Sequence, residues 1–461
     1  MYTRCNKSTV DQLKATVESS LALIEQYQWL VNTYVLDFFV DDLWARIPEE
    51  WQAFIDKAGP QDLAFLIGQD EENSRPVLPV EEWPSEILSI KDAITRLSLS
   101  RKAASRSQVA LELGLDEDNQ WQDDIHLEPK SLEYVFKKHI KPKKKHELMR
   151  MADLALMLSE KTRSKNKVDV GGGLGHLSRF LAFNGFNVSC LEAEGDFGKT
   201  AAKFDLDLSK AIPDDMAFKK PKHQTLNIDP DLSSDKFSSE LNFDGDFGIV
   251  GLHTCGDLGP TLIRLYAESP KASHLQSVGC CYMHIKSTFP MSKYLKATKA
   301  SSMINYTLME LACHAIENYK GKLNSGISDQ IEKLKVHCRR ALLELMLVQL
   351  ERPDLRHSCL KTVKNAHDMA FEDYVLKATA GLGIELPPDD GGLEELRSKE
   401  GQYWWRVVAF YTLRLLFAPL IETVLLLDRC IYLTEQGLEC GLAPVFDSDL
   451  SPRNFVIIST K

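Results

Sequence analysis

Two small groups of residues in this chain have the types and spacing to do chemistry. The first is Val168-Asp-Val-Gly-Gly-Gly-Leu-Gly175, a glycine turn between an apolar run and a helix-like segment. Gly171, Gly173 and Gly175 let backbone approach a ligand closely and leave the amides of the next helix free to face it. Glu192 follows some 20 residues on, at the end of a second apolar run, where a carboxylate can accept both hydroxyls of a ribose. Asp169 stands two residues before the first glycine. An acid there opposes a pyrophosphate but suits a ligand bearing an ammonium and a sulfonium, which favours S-adenosylmethionine over NAD. Each acid also has a plainer reading, Asp169 as a turn-stabilising side chain and Glu192 as a solvated strand end, with Glu194 its rival for the ribose. Asp229 is a further candidate for the adenine amino group, or a loop acid before Pro230.

The second group lies at two later strand ends, His253-Thr-Cys255-Gly-Asp257 and Cys280-Cys281-Tyr282-Met-His284. Methyl transfer is an in-line displacement, so a site needs only to hold the acceptor and take one proton. His253 or Asp257 could be that base. Cys255 could act as a nucleophile, Cys280 and Cys281 could line the acceptor site or pack as small apolar residues, and Tyr282 could stack on a base. In an open parallel sheet these two tips should lie near each other, so their His and Cys could also meet around Zn²⁺; the H-x-C and C-C spacings are not the C-x2-C knuckle of structural zinc, and no metal is assigned.

The elements around these groups set their positions. KVDV, the glycine turn, HLSRFLAFNG and FNVSCLE read as strand, turn, helix and strand, a right-handed βαβ unit. DFGIVGLHTCGDLG and LQSVGCCYMHI add two strands around the helix TLIRLYAES, and LAPVF with FVIIS forms a terminal hairpin. The chain thus reads as α/β. It is expected to comprise an N-terminal helical domain (1–140), a catalytic core (141–290) with a mobile insert (205–245), a mostly helical region (291–437) and a hairpin (438–461) that completes the sheet. A capping box is read at Ser8 to Asp11.

With 461 residues, 44% of them hydrophobic, the chain can bury more than one core, and its net charge of −11 repels polyanions. Contact with nucleic acid must therefore come from a local patch. The run FKKHIKPKKKHELMR, with Lys137, Lys138, Lys141, Lys143, Lys144, Lys145 and Arg150, is the densest such patch, and Lys143, Lys144 and His146 are candidates for substrate contact. No DNA partner is expected. Ten cysteines without an export signal suggest reduced thiols and a cytoplasmic or nuclear site. Residues 407–427 have the length of a membrane span, but Arg414, Pro419 and Glu422 favour a buried helix over membrane association.

DVGGGLGHLS, LHTCGDL, GCCYMHI and the tail PVFDSDLSPRNFVIISTK together resemble the methyltransferase-like protein 25 family, and PKKKHEL is similar to the element that family places ahead of its glycine loop. The resemblance implies a class I, Rossmann-like, seven-stranded methyltransferase using S-adenosylmethionine. Asp169, Gly171, Gly173 and Gly175 would form the donor loop and Glu192 the ribose acceptor. Adenine N6 methyltransferases carry a Pro-Pro-aromatic turn after the fourth strand. LHTCGDL has none, so adenine dimethylation is not implied. The H-x-C-G and paired-cysteine pattern is also similar to one tRNA ribose methyltransferase family. RNA is therefore the expected acceptor, ahead of protein; the alternatives are a donor-binding assembly protein without turnover and a nicotinamide oxidoreductase.

Overall fold

The computed structural model describes residues 2–69, 75–116, 119–125, 130–138, 140–213, 218–241, 243–357, 362–384 and 391–461. They form two compact units. One comprises Met1–Ala22, Leu99–Cys313 and Ile421–Lys461, the other Leu23–Ser98 and His314–Leu420. The first carries the sheet. The second is built from helices, among them Ser85–Leu97, Lys335–Gln349 and Gly391–Leu415. The expected boundary at residue 140 is therefore replaced: residues before Ala22 and after Leu99 pack with the sheet, and the helical unit is drawn from two separate stretches.

The strands are β1 (Thr3–Cys5), β2 (Asn166–Val170), β3 (Asn187–Glu192), β4 (Lys222–Thr225), β5 (Phe247–Cys255), β6 (Ala272–Cys280), β7 (Cys440–Pro444) and β8 (Phe455–Thr460). Their order is β1-β7-β8-β6-β5-β2-β3-β4. β2 to β6 pair in parallel, and β8 runs antiparallel between β6 and β7. β6 is buried along its whole length and β5 up to Leu252, because helices cover both faces of a parallel sheet. This is a Rossmann-like methyltransferase fold, with an eighth strand beyond the seven expected. That strand, β1, pairs with Cys440–Leu442 and closes the edge of β7, which would otherwise offer free backbone groups. The helix after it starts from a box made by Asn6 and Thr9, two residues earlier than the spacing of Ser8 and Asp11 suggests. Asn6 Oδ1 accepts the Thr9 amide and Thr9 Oγ1 the Asn6 amide.

The chain leaves β2 toward β3 and β4, then returns to the other side of β2 with β5. That reversal opens a crevice at the carboxyl ends of β2 and β5. The Pro142–Thr162 helix packs Leu148, Met151 and Leu158 in one apolar cluster with Val250 and Leu252 of β5, Val278 of β6 and Ile458 of β8. The described residues between 205 and 245 include regular elements where an excursion was expected: the end of the Gly195–Ala211 helix, β4 and the Ser234–Leu241 helix. Residues 407–427 fall in two helices, Gly391–Leu415 and Ala418–Glu435, divided just before Pro419. The pair is long and apolar enough to cross a membrane, and its apolar window is wholly buried.

Candidate active site at the strand tips

The glycine turn is tied to β3 from below and open above. Gly171 and Gly172 donate their amides to Leu191 O, and Gly173 donates its amide to Glu192 Oε2 at 2.9 Å. The tightest position is Gly172, which sequence reasoning passed over: a Cβ there would stand 2.4 Å from Cys190 Sγ. Gly173 is the reverse case. Its φ of +55° calls for glycine, yet a Cβ would meet nothing within 4 Å. The loop therefore has one crowded side against β3 and one side with room for a ligand.

Asp169 is not on that open side. It is buried, and its Oδ2 accepts the Ser178 hydroxyl at 2.6 Å. Burial pushes its carboxyl up to about 6, against the Ser178 hydrogen bond and the positive charge of Lys144. Asp169 thus props the turn against the His176–Phe183 helix instead of facing a ligand ammonium directly. A second prop passed unnoticed in the sequence. Arg179 Nε donates to Asp205 at 2.8 Å, and Asp205 pairs with His223 of β4 at 2.7 Å. The His223 ring fills the space behind Gly175, 2.8 Å from where a Cβ would be.

Glu192 ends β3 beside the loop. Its second oxygen accepts the Glu194 amide at 3.2 Å. Each oxygen keeps a further lone pair, so both ribose hydroxyls can still be accepted. Asp229 is exposed and accepts the Asp231 amide at 3.0 Å. That is the turn-forming role of an Asx residue before a proline, and nothing else in its contacts marks it as a ligand group.

At the tip of β5, exposed His253 sets Nε2 3.4 Å from Glu147 Oε2. Glu147 is buried; despite that burial, hydrogen bonds from His253 and Ser451 hold its carboxyl below the usual range. The Ser451 hydroxyl donates to it at 2.6 Å. Glu147 shares a helix face with apolar Met151, Leu154 and Leu158 at helical spacing, and an acid on that face was the signal available in the sequence. With Nε2 engaged by a carboxylate, Nδ1 of His253 is left as the proton acceptor, the arrangement by which an acid orients a catalytic histidine.

Other expected site residues hold the scaffold. His146 is buried, accepts the Asp447 amide on Nε2 at 2.9 Å and lies 3.0 Å from Asp123, so it anchors the hairpin loop and does not meet substrate. Arg150 Nη1 donates to Val445 O at 2.6 Å. PKKKHELMR and PVFDSDLSPRN are thus two halves of one contact. Asp257 accepts the amides of Lys286, Ser287 and Thr288 and the Thr288 hydroxyl. Although burial opposes it, these bonds hold the carboxyl below its usual value, so it is no general base. Tyr282 is fully buried, donates to Glu422 at 3.0 Å and offers no face for stacking.

The lysine run is largely neutralised within the chain. Lys137 pairs with Glu133 and Asp124, Lys145 with Asp124, Arg150 with Asp123 and Lys143 with Glu147. Among the described residues, Lys138, Lys141 and Lys144 make no ion pair.

Cys255, Cys280 and Cys281 come together, with their sulfurs all within 4.8 Å of one another. Cys255 is exposed, Cys281 half-buried and Cys280 buried. A hydrogen bond from Cys280 is the main cause that brings the Cys255 thiol down to about 6; Cys281 and the nearby His253 and His284 act in the same direction, and burial opposes. Cys280 is pushed up by its bond to Cys255 and by burial.

Residues 143–288 match the family model described as Methyltransferase domain. The match agrees with the strand order and the glycine turn, and it makes these residues a methyltransferase domain. The chain is similar to two curated relatives named probable methyltransferase-like protein 25. The one from Homo sapiens is 31% identical over 242 residues, covering 46% of this chain and 36% of the relative. The one from Mus musculus is 29% identical over 234 residues, covering 46% and 37%. The chain therefore spans little more than a third of the length of these relatives, whose name agrees with the resemblance carried by the glycine turn, the two strand tips and the tail.

Proposed function

We propose that the protein transfers a methyl group from S-adenosylmethionine, bound over the glycine turn, to an acceptor presented at the tip of β5. The observation that carries this reading is the Glu192 carboxylate held on the Gly173 amide at the open side of the turn. When bound, the donor supplies an electrophilic methyl group. Gly171, Gly173 and Gly175 with Glu192 would hold it, and Asp169 with Ser178 would keep the turn in shape. His253 would take the acceptor proton on Nδ1 while Glu147 fixes the ring and stabilises the imidazolium.

RNA is the acceptor class we put to the test first, on the likeness of H-x-C-G to a tRNA ribose methyltransferase family. Phosphate contacts need uncompensated charge, and of this run Lys138, Lys141 and Lys144 keep it.

Titration with S-adenosylhomocysteine tests the donor site. The wild type should bind, and Glu192→Ala should bind at least tenfold more weakly. Stabilisation by NAD with none by S-adenosylhomocysteine would overturn the reading. Incubation with labelled donor and cell extract, followed by nuclease or protease digestion, tests the acceptor. Label lost with nuclease supports RNA, and label lost only with protease refutes it.

A further inference from the structure

We propose that Cys255, Cys280 and Cys281 form a binding site for a single Zn²⁺ ion at the tips of β5 and β6. The ligands come from two strand tips that the parallel order sets side by side, and from one turn, so no knuckle spacing marks them. Cys255 and Cys280 are the last residues of their strands and sit opposite each other in register. Their sulfurs are 3.3 Å apart. Tetrahedral zinc with bonds of about 2.3 Å sets its sulfurs about 3.8 Å apart, so three thiolates already within 4.8 Å need only small side-chain movements to enclose one ion. Three sulfurs this close leave no room for an iron–sulfur cluster between them.

A second observation concerns the backbone. Cys281 has a φ of +48°, a left-handed conformation that costs a non-glycine residue on the order of 1 kcal/mol or more. The conformation turns the chain back at the strand end, so two consecutive cysteines reach the same place instead of opposite faces of the sheet. Strain kept at a site is a reason to look for what it serves there.

A third concerns the fourth coordination position. Gly256, next to Cys255, lies against His284: a Cβ on it would stand 2.6 Å from His284 O and 3.0 Å from His284 Cβ. His253 and His284 both lie close enough to favour the Cys255 thiolate, and both are exposed. Because both nitrogens of His253 already have a role, the fourth position falls to His284 or to water at the solvent side. Thiolate ligands with imidazole suit zinc, and binding would release the thiol protons to solvent.

Two other groupings have the spacing but not the setting. Cys5, Cys430 and Cys440 are buried on all sides, and Asp329, His367 and Asp368 form a group with no thiol. They serve as internal controls.

The test is metal content, which does not depend on donor binding or turnover. Full-length protein kept reduced and free of chelator should carry about one zinc per chain by elemental analysis. Cys255→Ser and the Cys280→Ser/Cys281→Ser double variant should lose it, and Cys440→Ser should keep it. Zinc retained in Cys255→Ser, or lost only with Cys440→Ser, would overturn the assignment. Because a serine variant can misfold, wild-type protein stripped of metal and titrated with Co²⁺ gives an independent reading. A thiolate-to-cobalt charge-transfer band in the near ultraviolet, saturating at one equivalent, supports the site. No such band with thiols fully reduced, or a Cys255–Cys280 disulfide in protein prepared under reductant, overturns it.

Discussion

The parallel strands treat ionisable groups in opposite ways at their two ends. At the amino end, Lys167 of β2 and His274 of β6 face each other, with Nζ and Nε2 2.8 Å apart. Burial brings Lys167 down to about 7 and, with the Lys167 charge, His274 well below its usual value, so charge is disfavoured on both. The His274 ring occupies the space that Gly248 leaves: a Cβ there would stand 1.9 Å from Nε2. At the carboxyl end, β5, the strand between them, carries His253 and Cys255 exposed to solvent, with Glu147 holding His253 and neighbouring thiols favouring the Cys255 thiolate. One end suppresses charge for the sake of packing. The other keeps charge where a second molecule can reach it, and such contrasts mark functional sites.

The largest effect that would sharpen this comparison is at Lys167. The unfolded chain takes a proton on this lysine at any pH below its ordinary 10.5, whereas the folded chain does so only below about 7. Folded stability should therefore climb with pH across that window, by about 4 kcal/mol between pH 7 and 10. Chemical denaturation at several pH values would show it, and Lys167→Met should flatten the climb. Gly248→Ala should cost about 3 kcal/mol by driving a methyl group into the His274 ring, as read by the denaturation midpoint, with donor affinity of the folded protein unchanged. At the other end, Glu147→Gln should reverse the pattern, lowering kcat about a hundredfold while moving stability by less than about 1 kcal/mol. A stability loss with unchanged kcat would break the comparison. The smallest effect belongs to Tyr282→Phe, which removes one buried hydrogen bond and should cost about 1 kcal/mol in denaturation without altering donor binding.

Much of the sheet was legible. β2, the glycine turn, its helix with the stop at Asn184 and Gly185, β3 and the final hairpin all stand where the apolar periods and turn residues place them, because their signals are local. β1 was not, since Thr3–Cys5 has no pattern of its own and becomes a strand only by pairing with β7. The Gly195–Ala211 helix was hidden by its acids. Asp205 faces inward to Arg179 and His223, which breaks the apolar face a helix is recognised by. In the site, the glycines and Glu192 could be read from spacing. The burial of Asp169, the bond between His253 and Glu147, and the pairing of lysines with Asp123 and Asp124 depend on contacts between distant segments. The meeting of the three cysteines follows from the expected parallel order, which sets the tips of β5 and β6 side by side; the left-handed turn at Cys281 does not.

β8 lies in the middle of the sheet although it is the last strand in sequence, and β1, the first, waits at the margin for β7. During synthesis, β6 must therefore leave the ribosome and hold an open side while the second stretch of the helical unit is made, until the closing strand arrives to fill the gap. A nascent chain stalled before Phe455 would present that bare flank to any passing strand. Losing Phe455–Thr460 should harm assembly more than losing a surface loop of equal length, because the missing piece is an interior plank and not the rim.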